Sequence, residues 1–242
     1  MKKTREPKST HKSRFWVYIL SSISFMSCQT EKLEPFEVVQ TPTPIDNNVN
    51  TWTEGVIPYG FNDNVPKEQK DIILEAMSIY EGICNVTYKE YPVNDLLQLD
   101  HGLLIKYSGA VQSSVFPSGM PEYISDFRVA DIRFFDMSVA LHELGHNLGR
   151  PHEQQLANAL DYMIIDYSNI SQNWMGNYEP TKIIFLTPIE LNSNMAYSGF
   201  DASIDPDKPT TTDLEGNTYE SSKILTQLDK DKYLELYPYK NN

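Results

Sequence analysis

Cysteine is nearly absent from this chain: Cys28 and Cys84 are the only two in 242 residues. If Cys28 is used elsewhere, no internal disulfide can form, and the folded part must hold together by its core. Cys84 then reads as a small buried apolar residue. Long apolar runs are missing too. The longest candidate, Phe15 to Met26, has 12 residues, about 18 Å of helix against a hydrocarbon core of about 30 Å, which excludes a convincing membrane span. No internal repeat and no heptad pattern is visible, which excludes solenoids and coiled coils. Basic residues are scarce, 20 against 33 acidic, and six of the basic ones but only one acidic lie in residues 1–27. The remainder carries 14 basic and 32 acidic residues, a net charge of −18. Such a surface repels nucleic acid and anionic membranes. With 40% apolar and 12% aromatic residues, the chain is long enough to bury a real core and is not generally disordered.

The amino terminus has the layout of a signal peptide: Lys2, Lys3, Arg5, Lys8, Lys12 and Arg14, then Phe15 to Met26, then Ser27-Cys28. Phe25-Met26-Ser27-Cys28 resembles a bacterial lipobox, with Phe25 where Leu is usual. The expectation is cleavage before Cys28 and lipidation of its thiol. Two alternatives stay open, an ordinary signal peptide with an incidental Cys28, and a Cys28 that blocks a metal in a latent form. Residues 28–50, with prolines and little apolar periodicity, read as a linker or pro-segment, and the folded domain is expected over 51–242.

Within that domain, Ile72, Ile73, Ala76, Met77 and Tyr80 have helical spacing over Lys67 to Tyr80. "NVTYKEY" and "GLLIKYS" read as strands, and residues 111–127 as irregular loop and strand. Either Asp131 or Asp136 caps a helix running through Leu148, with Gly149 at its carboxyl end. Leu228, Tyr233, Leu234 and Tyr237 suggest a closing helix. The order fits an α+β domain with one cleft.

Histidine is scarce as well, yet three of the five stand in "HELGHNLGRPHEQ", residues 142–154. On a helix, His142 and His146 lie about 40° apart on one face, one turn above the other. Glu143 flanks the same space, about 100° round from His142 and 60° from His146. Gly149 lets the backbone leave the helix sharply, so that His152 can return as a third ligand. Three neutral nitrogens around Zn²⁺ leave a fourth position for water, the mark of a catalytic site. Zinc there lowers the water's pKa to about 7 and polarises a peptide carbonyl, and Glu143 is placed to act as general base and then acid. The bland alternative, a surface helix with scattered His and Glu, does not explain the added Gly149 and His152.

H-E-x-x-H-x-x-G-x-x-H resembles the metzincin signature, and the following Glu153-Gln154 resembles its astacin branch. "WTEGVIPYGF", "DIILEAMSIYEGICNVTY", "DYSNI", "SNMAYSGF" and "LTQLDKDKYLELY" are similar, in order, to stretches of astacin domains, over about residues 51–239. The resemblance implies a metzincin-type fold: a mixed sheet, an active-site helix above the cleft, and an irregular lower subdomain with a Met-turn and a C-terminal helix. It further implies that Met195 is the Met-turn methionine beneath the zinc. Tyr197 would be a tyrosine that binds the metal at rest and swings away to stabilise the oxyanion. Glu153 would be a buried support behind the third histidine, which in the family meets the new amino terminus made by processing.

The chain departs from the family in three ways. Neither usual disulfide can form, Leu156 to Leu160 replaces a charged stretch that supports the cleft, and Ala196 stands where the family has His. The expected function is a zinc-dependent endopeptidase acting on proteins or peptides, exported to a bacterial outer membrane or cell surface, monomeric, and touching membrane only through lipid at Cys28. The rival is a catalytically silent surface lipoprotein of the same fold that serves as a binding module.

Overall fold

The computed structural model describes residues 51–107, 127–131 and 136–240. The signal segment, the spacer with Cys28, and most of the irregular stretch 111–127 lie outside the described residues. Among those described, no helix is long and apolar enough to cross a membrane.

The chain enters through β1 (Val56–Phe61), α1 (Lys67–Ile83), β2 (Thr87–Glu90), the short α2 (Val93–Leu96), β3 (Gly102–Lys106) and β4 (Phe127–Asp131). These strands form one sheet in the order β2-β1-β3-β4, and its pairings among the described residues are parallel. Antiparallel pairing among the described residues occurs in a separate ribbon, β5 (Met163–Ile165) against β6 (Thr211–Asp213), and at the isolated bridge Ile170–Ser203. Parallel strands covered on both faces need unbroken apolar sequence, which explains why Leu103, Leu104 and Ile105 of β3 are consecutive and all buried.

Helix α1 begins after Pro66 and buries Ile73, Ala76, Met77 and Tyr80, a spacing of three, one and three that makes a single stripe. Helix α3 (Met137–Asn147) starts at Asp136, whose carboxylate accepts from the Val139 N–H at 3.0 Å. Asp131 closes β4, so the choice between the two aspartates falls to Asp136. The helix ends at Leu148, and Gly149 adopts φ 102°, the left-handed conformation that releases the chain.

The closing helix α4 (Gln227–Leu236) is capped by reciprocal hydrogen bonds between Thr226 and Asp229. Helices α1, α3 and α4 meet at Tyr80, whose hydroxyl donates to the Leu141 carbonyl at 2.6 Å and whose ring packs edge-on to Tyr233 at 4.8 Å. Cys84 is buried beside this junction, and burial pushes its thiol up to about 12, so it is inert packing as expected.

Candidate metal centre

Helix α3 carries His142 and His146 one turn apart, and the turn at Gly149 brings His152 back towards them. The ring pair His142–His146 is 4.7 Å apart and His146–His152 4.4 Å, centroid to centroid. Each Nδ1 faces a pure acceptor. His142 Nδ1 lies 2.7 Å from the Asn194 carbonyl, His146 Nδ1 2.7 Å from the Arg150 carbonyl, and His152 Nδ1 2.9 Å from Gln155 Oε1. A carbonyl oxygen only accepts, so every Nδ1 holds the proton and every Nε2 keeps its lone pair. His146 Nε2 lies 3.1 Å from Nε2 of both His142 and His152. Nitrogens without protons cannot hydrogen-bond one another, and three lone pairs converging at this distance repel unless a cation lies between them. Zinc bound at 2.0–2.1 Å in tetrahedral geometry sets its nitrogen ligands about 3.3–3.4 Å apart, close to what the chain provides. Among the described residues these three histidines are the group able to hold a metal.

The electrostatics agree. Burial lowers the pKa of all three imidazoles, and their mutual repulsion adds to this for His146 and His152, the latter falling to about 3. The rings are thus held neutral, the state a metal requires.

Glu143, one residue beyond His142, is nearly buried; the Tyr197 phenol has its pKa raised chiefly by burial, with the charge of Glu143 a minor addition. Tyr197 itself packs its ring 4.5 Å from that of His152. Met195 is fully buried beneath α3. The approach is close because residue 145 is glycine: a Cβ there would lie 2.7 Å from Met195 Sδ and collide with the Tyr233 hydroxyl. Glycine inside a helix costs about 1 kcal/mol relative to alanine, and here it admits the methionine.

Glu153 faces away from the histidines. It is fully buried and bound by two cations: Lys232 Nζ, 2.7 Å from Oε1 and 2.8 Å from Oε2, and Arg150 Nη2. Arg150 Nη1 also donates to Asp229 at 2.9 Å, and its guanidinium lies between the rings of Phe185 and Tyr233, 5.6 and 5.1 Å from their centroids. Asp229 accepts further from Ser193 Oγ and the Asn194 N–H. Burial alone would raise its pKa, yet Arg150 and these donors hold it below the usual carboxylate value. Two cations and two anions, all four fully buried, therefore balance one another behind the metal ligands. In the stretch Leu156 to Leu160, where the family's charged residues are missing, Leu156 and Ala159 join the core.

The structure thus brings the three sequence-predicted histidines together, sets Glu143, Met195 and Tyr197 around them, and buries Glu153 behind. Sequence reasoning missed Arg150, Gln155, Lys232 and Asp229. Gln155 stands three residues after His152 with capping-box spacing, a local signal that was available. Lys232 lies 79 positions from Glu153 and gave none.

A family model described as Astacin, a family of peptidases, matches residues 44–231. Zinc metalloproteinase nas-12 of Caenorhabditis elegans is 23% identical over 203 residues, covering 76% of this chain and 49% of its own length. Astacin-like metalloprotease toxin 5 of Loxosceles gaucho is 24% identical over 160 residues, covering 64% of this chain and 80% of its own. The chain therefore spans about half the length of the first of these relatives and most of the second. Among solved structures, high choriolytic enzyme 1, a hatching enzyme zinc-protease of the medaka Oryzias latipes, superposes with a TM-score of 0.65 at 19% identity. The match covers 78% of this chain and 92% of that one.

Proposed function

The chain belongs to the astacin family of peptidases, and from that premise we propose that it is a zinc-dependent endopeptidase cleaving peptide bonds in proteins. One observation carries the reading: three imidazoles, each with Nδ1–H bound to an acceptor, point three unprotonated Nε2 atoms at one another. His142, His146 and His152 would hold the zinc. When bound, it supplies Lewis-acid polarisation of the scissile carbonyl and lowers the pKa of a water to about 7. Glu143 takes the proton of the attacking water and passes it to the departing amine as the C–N bond breaks. Tyr197 donates a hydrogen bond to the oxyanion that develops. Burial raises its pKa, so the phenol keeps its proton at neutral pH. Met195 forms an apolar floor, and Glu153 anchors the loop that presents His152. Retention of the base and all three ligands speaks against a silent binding module.

The remaining expectations complete the proposal. Residues 1–27 direct export, Cys28 carries lipid, 28–50 form a spacer, and 51–242 work as a monomeric catalytic domain at the cell surface. Hydrolysis of casein with and without a chelator is the direct test. Activity that survives full removal of metal would overturn the zinc assignment.

A further inference from the structure

The segment Gln172–Tyr178, one turn after another of 3-10 helix, contributes no metal ligand, yet it is tied to the metal-ligand loop at two consecutive residues. Gln154 Nε2 donates to the Asn177 carbonyl at 3.2 Å, and Gln155 Nε2 donates to the Gly176 carbonyl at 3.1 Å. Gln155 is the residue whose other amide atom receives His152 Nδ1, and Gln154 Oε1 receives the Tyr197 N–H at 3.3 Å. Both glutamines thus spend one end on the site and the other on residues 176–177. The side chain these anchors aim is Asn177, whose Nδ2 donates to the Tyr197 hydroxyl at 2.7 Å.

We propose that Asn177 is a positioning residue for Tyr197: it fixes the phenolic oxygen as an acceptor, which leaves the phenol's own proton free to be donated towards the cleft. An amide NH₂ can only donate, so the Tyr197 oxygen must accept from it. A phenol has one proton. With the Asn177 direction satisfied by acceptance, that proton is not consumed within the protein pair. The ring packs against His152 at 4.5 Å, Tyr178 at 5.6 Å and Trp174 at 6.2 Å, all at steep interplanar angles, contacts that support the hydroxyl in this position. Tyr178 is itself fully buried, its hydroxyl donating to the Asp201 carbonyl at 3.0 Å. The packed rings support the hydroxyl's position, and Asn177 sets which way its proton faces. A donor aimed before the charge develops needs no reorganisation during the reaction.

This inference rests on the oxyanion role given to Tyr197 above, and the test separates the two. Tyr197→Phe is measured first. Full turnover in that variant would remove the role itself. Given an impaired Tyr197→Phe, Asn177→Ala should lower kcat on the order of tenfold, the scale of a misdirected group rather than a missing one. KM and zinc content should be unchanged. Asn177→Asp keeps the shape but cannot donate. Its carboxylate would instead accept the phenol's hydrogen bond and turn that proton away from the cleft, so its loss should equal or exceed that of Asn177→Ala. Two readouts besides turnover are required. The Kd of a peptide phosphinate, whose anionic oxygens mimic the oxyanion, should rise in parallel with the loss in kcat. The melting temperature of the metal-free protein should not move. Adding Asn177→Ala to Tyr197→Phe should cause no further loss. Normal turnover in Asn177→Asp would show that shape, not donation, matters and would overturn the proposal, as would an additive loss in the double variant.

Discussion

His152 and Glu153 are neighbours in the chain and face opposite environments. In front, His152 meets two other imidazoles, each ring held by one neutral hydrogen bond and each kept uncharged by burial and repulsion. Behind, Glu153 meets full charges on every side, and the group is neutral only as a set of four. The front must stay open to a metal, water and substrate, so it can carry no permanent internal partner for its lone pairs. The back is closed, and there charge can be used to fix position, because Arg150 joins the loop before His152 to the segment at 193–194 through Asp229, and Lys232 joins the same loop to α4. A backbone bond from the Glu153 N–H to the Met195 carbonyl at 2.9 Å completes the tie. The difference teaches that reactivity and rigidity are supplied by different faces of one short loop, and each can be broken without the other.

The largest effect should come from the front alone. Glu143→Gln alters no ligand and no member of the buried cluster, so zinc content and melting temperature should hold. Peptidase activity should fall by a factor on the order of 10² to 10⁴. Near-normal turnover in a zinc-replete Glu143→Gln protein would remove Glu143 as the base.

Breaking the back should do the reverse. Lys232→Met leaves one buried cation against two anions, and removing one partner of a buried ion pair costs about 3–5 kcal/mol. Arg150 still holds Glu153, so the lower end, about 3 kcal/mol, is expected in denaturant unfolding. Adding Glu153→Gln returns the set to one cation and one anion and should recover part of the loss. A double variant less stable than Lys232→Met would show that contacts, not charge balance, hold the cluster.

How much of this was legible depends on whether the information was local. His142, Glu143 and His146 share one helix face, and Asp136 and Gly149 bracket that helix within a few residues, so period and cap signals sufficed. Stripe residues such as Ile73, Ala76 and Met77 were readable for the same reason. In the closing helix Tyr233 and Tyr237 are buried as the spacing suggests, Leu228 and Leu234 are only half-buried, and Asp229, Lys232 and Leu236 complete the buried face. Charged residues on a helix read as a solvated face, and only the distant Arg150 and Glu153 turn them inwards. Asn194 serves His142 through its backbone carbonyl, which no residue type announces. Tyr197 was reached through resemblance, and its partner Asn177 lies in a segment with neither period.

Acidification should separate front from back by a smaller amount in the metal-free chain. The three imidazoles have folded pKa values lowered from the ordinary 6.5, His152 to about 3. A depressed histidine means that the unfolded chain binds more protons than the folded one below about pH 6.5. Stability is therefore fully present above that pH and declines as pH falls towards 3, by at most about 1.4 kcal/mol per pH unit for each imidazole. Melting temperature measured from pH 8 to pH 5 should begin to drop near pH 6.5, and His152→Phe should make the drop shallower. A flat profile in the metal-free protein would mean that the imidazoles are not held neutral by the fold.

The smallest effect expected is that of trimming the amino terminus. Glu153 shows no exposure and is already bound by Lys232 and Arg150. An ammonium brought to it would add a third cation to a set balanced at two and two, and desolvating that cation would find no new counter-charge. The chain's entry into the domain is fixed separately: Trp52 Nε1 donates to the Asn147 carbonyl at 2.9 Å and the Trp52 N–H to the Tyr237 hydroxyl at 3.2 Å. Activity should therefore not require a new terminus near residue 50. A protein beginning at Cys28 and one beginning at Thr51 should differ in kcat/KM by less than about twofold, which is under the resolution of a meaningful change in transition-state binding. The amino-terminal mass of the active species, taken from membranes and from medium, supplies the check. Activity confined to a form that begins near residue 50 would mean that processing completes the site after all, and that the cations behind Glu153 do not substitute for it.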